Sequence, residues 1–165
     1  MLYTFPVSYT LTNAGGTTDL ISAAPADDQV YKLVKLVLGN RSEIAEAQEE
    51  DLQLDIYRLP ATVTAGSGGS AFTTANAGKV KRMSTALSTG AIRYNDTTPA
   101  TTSGTAELLE SHGWNLRATP LILEWPEDQR YDVKQGELIV VTLPVAVADD
   151  MTLAVLMVLD IEGVV

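Results

Sequence analysis

The chain has 165 residues, no cysteine, a single histidine and a formal net charge of −10. That length supports one domain with a full core and no disulfide staples, and the missing thiols exclude cysteine catalysis, disulfides and cysteine-based zinc sites. The acidic balance argues against a general nucleic-acid binder, which needs a basic stripe to neutralise phosphates.

The first residues, Met1-Leu-Tyr-Thr-Phe-Pro, lack the basic start and apolar core of a signal peptide. No apolar run reaches the roughly 20 residues that a membrane helix needs. A soluble, non-secreted protein is expected. Its charge is uneven: Lys79, Lys81, Arg82 and Arg93 face only Asp96 between 60 and 100, a net of +3, whereas the rest carries −13. Such a patch on an acidic protein fits an acidic protein surface, a sister subunit included, better than DNA.

Residues 3–11 alternate as a strand should, with Tyr3, Phe5, Val7, Tyr9 and Leu11 opposed to Thr4, Pro6, Ser8 and Thr10. Pro6 predicts an edge or end position, because proline cannot donate a ladder hydrogen bond. Turn residues at 13–16 lead to a second strand over 17–24, and Ala24-Pro-Ala-Asp-Asp28 leads to a third over 30–38. Strict alternation in the third would put Val34, Leu36 and Leu38 on one face, and Tyr31, Leu33 and Val37 on the other. Residues 40–51 are the one helical candidate: Asn40 or Ser42 can cap it, and Glu43 stands three after Asn40, as a capping box prefers. With only Ile44, Ala45 and Ala47 as an apolar face, this is a short helix or an acidic loop. Residues 52–59 return to strand alternation and stop at Pro60.

From 61 to 105 the composition turns to Ala, Gly, Ser and Thr. Residues 65–70 read in isolation as a flexible linker, and only 80–87 and 91–95 look capable of short structure. A connection of this length tends to be functional, and packing onto neighbouring chains is expected to hold it. Strand signals resume at 106–110, 113–119 and 121–125, followed by a strand and turn over 129–136. Two near-continuous apolar strands close the chain, 138–147 and 151–159, separated by Ala148-Asp149-Asp150. In the last, Leu153, Val155, Met157, Leu159 and Ile161 share one face, and Ala154, Leu156 and Val158 share the other. A lone sheet with one wet face would carry polar residues there. Both faces therefore want cover, from a second sheet or another subunit. Asp149, Asp150, Asp160 and Glu162 bracket this aggregation-prone strand as gatekeepers.

About eight strands with turn signals between them predict an all-β, jelly-roll-like antiparallel sandwich. It is expected to form one domain over 1–165, with 61–105 as a long ordered loop region used for contacts.

Candidate chemistry is sparse. His112 has Ser111 beside it, but adjacent strand residues point to opposite sides, so a Ser-His-acid arrangement is not indicated. Asp27-Asp28 and Asp149-Asp150 fall in predicted turns, where Asp bonds nearby backbone. Glu124, Glu127 and Asp128 flank Trp125-Pro126, but a glycosidase needs two carboxyls held across a cleft. Calcium is conceivable from such acids, although no D-x-D-x-D-G loop is present. Gly66-Ser-Gly-Gly69 lacks the spacing of a phosphate loop. Trp114, Trp125, Tyr3, Tyr9, Tyr31 and Tyr131 read as core or interface anchors before they read as a sugar platform. No catalytic, cofactor or metal site is expected.

The order of these segments resembles small virion structural proteins of tailed bacteriophages, of the jelly-roll capsid cement or decoration kind. The resemblance lies in Lys35-Leu-Val-Leu-Gly-Asn-Arg-Ser-Glu43 with the acidic run to Asp51, then Tyr57-Arg-Leu and the Gly-Ser loop. Gly113-Trp-Asn-Leu-Arg117 and Trp125-Pro-Glu127 follow, before the two terminal strands. It implies a non-enzymatic protein made in the host cytoplasm that binds the outer capsid surface and clamps neighbouring major-capsid subunits. It also implies a homo-oligomer suited to local threefold axes, with neither nucleic acid nor membrane as partner. The expected contact residues are Glu43, Glu46, Glu49, Glu50, Ser67, Phe72, Lys79, Lys81 and Arg82. A carbohydrate-binding head appendage with Trp114 or Trp125 exposed, and a self-assembling shell subunit, are the alternatives.

Overall fold

The computed structural model describes residues 2–13, 15–26, 28–41, 50–72, 92–117 and 120–163. Among them, in chain order, the strands are β1 (Leu2–Leu11), β2 (Thr18–Ala23), β3 (Val30–Asn40), β4 (Asp51–Leu59), β5 (Val63–Thr64) and β6 (Ser70–Ala71). They continue as β7 (Ile92–Asp96), β8 (Thr101–Thr102), β9 (Glu107–Asn115), β10 (Leu121–Glu124), β11 (Asp132–Lys134), β12 (Leu138–Leu143) and β13 (Met151–Glu162). No α-helix occurs among the described residues, so none there is long and apolar enough to cross a membrane. The helix or acidic loop expected over 40–51 lies largely outside the described residues; Asn40 ends β3 and Asp51 opens β4.

The strands form an antiparallel sandwich. One sheet runs β1-β13-β3-β10, with β11 also paired to β3; the other runs β6-β7-β2-β12-β4-β9, and β5 pairs β8 separately. The edge position expected from Pro6 holds, since β1 pairs only with β13. The two apolar C-terminal strands do not pair with each other. Each sits centrally in its own sheet, β12 between β2 and β4, and β13 between β1 and β3. Their inner faces meet in one core that includes Ile139, Val141, Leu153, Val155, Met157 and Leu159. This is why both runs are so apolar: a central strand of a closed sandwich has no wet inner edge.

Strict alternation fails in β3. The ladder to β13 passes from Lys35–Val158 to Leu33–Leu159, skipping Val34. The extra residue rotates the strand, so Tyr31, Leu33, Leu36 and Leu38 all turn inward, and Lys32, Lys35, Val37 and Gly39 turn outward. The Val34 carbonyl accepts the Trp125 N–H at 2.9 Å, where β10 leaves the sheet before β11 rejoins it.

The insertion at 61–105 is described at 61–72 and 92–105. Its described parts are held by the chain itself: β6 extends the second sheet through β7, and β5–β8 forms a small ribbon. Expected structure at 80–87 lies outside the described residues; that at 91–95 is β7.

Candidate docking surface

Each sheet has an outer face, and the two are finished in different ways. On the six-stranded sheet, Leu138 and Val140 point outward, yet they are buried with Leu59 beneath Val63, Ala100, Tyr57 and Ala24. The insertion thus supplies the cover that β12 required. It is anchored by buried acids. Asp96, 1% exposed, takes two hydrogen bonds from the Arg93 guanidinium at 2.7 and 2.9 Å, and one from the Gly69 N–H at 3.0 Å. Asp19, 2% exposed, accepts from the Ala100 N–H at 2.7 Å and the Thr142 hydroxyl at 2.9 Å. Burial without a cation pushes the Asp19 carboxyl above its ordinary range; its two donors oppose this, and nearby Asp96 adds to it. Asp55, which does not touch the insertion through these bonds, accepts from Ser111 at 2.6 Å and from Gln53 at 3.1 Å and so ties β4 to β9.

Glycine lets the strap come this close. A Cβ on Gly69 would run into the Tyr94 and Asn95 carbonyls, and one on Gly66 would meet Asp96. Gly68 holds φ +90°, a conformation side chains resist.

The outer face of the five-stranded sheet has no such cover among the described residues. Four strands align an apolar row, Pro6–Leu156–Val37–Ile122, by direct cross-strand pairing. Ile122 is 58% exposed. The next row, Ser8–Ala154–Gly39, continues to Pro120 and is built of small residues. A third row follows, in which Thr10 pairs Thr152 and the Thr152 carbonyl accepts the Arg41 N–H at 2.9 Å. The low middle row leaves an open groove of about 530 Å³, lined by Pro6, Ser8, Val37, Gly39, Arg41, Pro120, Ala154 and Leu156 among others. Nothing lies within 4 Å of where a Gly39 Cβ would stand.

The side of the sandwich between β9 and the β10–β11 link is closed by a polar knot. Glu110 accepts from the Trp125 indole N–H at 2.6 Å and the Tyr131 hydroxyl at 2.8 Å, and its other oxygen lies 2.6 Å from His112 Nε2. Burial alone would raise its pKa, but donation from Trp125, His112 and Tyr131 together brings it below the ordinary value. Ser111 points away from His112 to Asp55, as strand alternation requires. The hydroxyl bonded to this pair is the Tyr131 phenol; no serine or threonine hydroxyl joins it in the hydrogen bonds described.

Of the expected contact residues, Glu43, Glu46, Glu49, Lys79, Lys81 and Arg82 lie outside the described residues. Ser67 is exposed on the strap, where its backbone bridges Thr98. Glu50 accepts the Ala148 N–H at 2.7 Å. Phe72 is corrected: it is 3% exposed and packs edge-on to Phe5 and Tyr94, because the strap returns its one large apolar side chain to the core. Trp114 and Trp125 are both buried, which removes the exposed platform that glycan stacking requires. Among the described residues, no three His, Asp or Glu gather as metal ligands do. The groove residues Val37, Gly39, Arg41 and Pro120, with Ile122 at the end of the apolar row, were missed as a group. Their one sequence signal was the apolar second face of the last strand, Ala154, Leu156 and Val158.

Comparison of the chain with protein-family models, with curated proteins and with solved structures found no significant match.

Proposed function

We propose that this protein is a non-enzymatic virion structural protein of the capsid cement or decoration kind. It docks on the outer surface of a phage capsid and clamps neighbouring major-capsid subunits. The observation that carries this reading is the apolar row Pro6–Leu156–Val37–Ile122, exposed at its two ends, half-buried in the middle and uncovered by the described chain. Exposed contiguous apolar surface of this sort marks an interaction face.

Two features support it. Setting aside the two- and three-residue strands and β7, which extends the second sheet beyond β2, eight strands remain: the first, last, third and sixth lie in one sheet, and the second, seventh, fourth and fifth in the other. A jelly roll, the fold the resemblance implies, would order its strands in this way, which supports the reading. Pro6 also discourages pairing at the β1 edge, which leaves the face of that sheet for docking on the capsid. A protein that binds only the assembled shell stabilises it by mass action. A homotrimer would multiply that effect by engaging several subunits together.

Two measurements test the proposal. Light scattering after size exclusion is expected to give a trimer, and a monomer would remove the multivalent clamp. Cosedimentation with empty capsids of the major capsid protein from the same source is expected for the native chain. It should be lost in Leu156→Asp, and native protein that stays in the supernatant would refute the docking.

A further inference from the structure

We propose that the groove on the outer face of the five-stranded sheet receives an extended segment of a partner protein, apolar along its length, with a carboxylate seated over Arg41. This rests on reading that face as the docking surface, and it names the chemistry of the occupant.

The dimensions come from the sheet. The trough crosses β1, β13 and β3 and reaches Pro120, just before β10. Three inter-strand spacings of about 4.8 Å make about 14 Å. At roughly 3.4 Å per extended residue this holds about four residues. Leu156, Val37 and Pro6 form one wall, and Ala154 with Gly39 leaves the floor low enough for backbone to settle.

Charge decides the polar part. On this sheet Lys32 pairs with Glu162 at 2.6 Å, Lys35 with Glu124 at 3.0 Å, and Arg130 with Asp160 at 3.5 Å. Arg41 is exposed, lines the groove and has no ion pair among the described residues. A guanidinium beside an apolar trough selects a carboxylate, which it can hold with two parallel bonds.

A second copy fits less well. A two-fold pair through this face would bury two copies of Arg41 in one interface, and neither the apolar row nor the small-residue row beside it offers an acid to meet them. Both copies also carry −10.

The probe is an amidated tetrapeptide of three alternating valine and leucine residues followed by aspartate. It is titrated into the isotope-labelled full chain and followed by amide chemical shifts, which read weak binding. Saturable shifts are expected at Gly39, Arg41 and Ala154. Affinity should be about fivefold lower for the same peptide ending in lysine, as for one partly exposed ion pair, and Arg41→Glu should reverse that preference. Gly39→Leu fills open space, so it should keep the unfolding midpoint and abolish the shifts; Ala154→Leu fills the trough from the neighbouring strand as a second block.

Absent or scattered shifts, equal affinity for the two peptides, or undiminished binding by both blocked variants would overturn the proposal. So would a native oligomer that Gly39→Leu dissociates, which would make a second copy the occupant. Peptide binding without capsid cosedimentation would leave the groove standing and refute the cement reading. Capsid docking unchanged by Gly39→Leu would do the reverse.

Discussion

The two outer faces of the sandwich start from the same problem and reach opposite ends. Both central strands, β12 and β13, are apolar on both sides. Behind β12 the chain closes its own surface with the strap at 61–72 and 97–102, tied down by Asp19 and Asp96. Behind β13 the described chain supplies no cover: beside the apolar row lie the small residues Ser8, Ala154 and Gly39, and then Thr10, Thr152 and Arg41. An apolar second face therefore does not by itself announce a partner. What distinguishes the two is whether buried polar anchors are present to hold a lid, because a lid's own backbone and side chains must be satisfied before it can stay.

The largest effect should come from removing an anchor. Asp96→Ala leaves Arg93 and the Gly69 N–H without their acceptor and is expected to cost about 3 kcal/mol by urea unfolding. A loss under about 0.5 kcal/mol would mean the strap holds without its anchor. Next comes a pair of identical substitutions on opposite faces. Gly69→Ala should cost about 2 kcal/mol, since its methyl meets carbonyl oxygens, whereas Gly39→Ala should stay within about 0.5 kcal/mol. Equal costs would erase the contrast between a closed face and an open one.

Two smaller effects differ in their pH dependence. Glu110 has a folded pKa below its ordinary 4.5, so its contribution is present above that value and lost as pH falls through the lowered one. Glu110→Gln should therefore lose about 1.5 kcal/mol at neutral pH, a gap that closes in acid. Asp19 is raised above 3.8, so its contribution is full below that value and lost as pH rises through the raised one. Asp19→Asn, which can keep the bond from the Ala100 N–H through its amide oxygen, should lose this pH dependence, so its stability relative to the native chain should rise from acid to neutral pH. Unfolding curves collected across that range check both, and parallel curves for either variant and the native chain would contradict its assignment.

Much of the sandwich was legible because strand chemistry is local. The alternation of Tyr3 to Leu11, the edge signal of Pro6 and the runs that became β12 and β13 all appear in the structure. The bulge at Val34 was passed over: Lys32 and Lys35, three apart, break period-two alternation, but which residue is the extra one is fixed only when β13 sets the register. Phe72 looked like a contact residue because its small, polar neighbours resemble a linker. Only the fold shows the strap turning it toward Phe5 and Tyr94. The groove was invisible for a related reason. Ser8, Ala154, Gly39 and Pro120 are far apart in the chain and become one trough only through pairing across strands.

By itself, then, the amino-acid order determined that this is a cysteine-free, acidic β-sandwich with two doubly apolar strands, because composition and period-two patterning are properties of neighbouring residues. Which of those strands the chain would cover, and which it would leave bare, was decided in three dimensions. Asp19 and Asp96 become anchors only when β2, β7 and the strap meet, and burial makes their hydrogen bonds decisive.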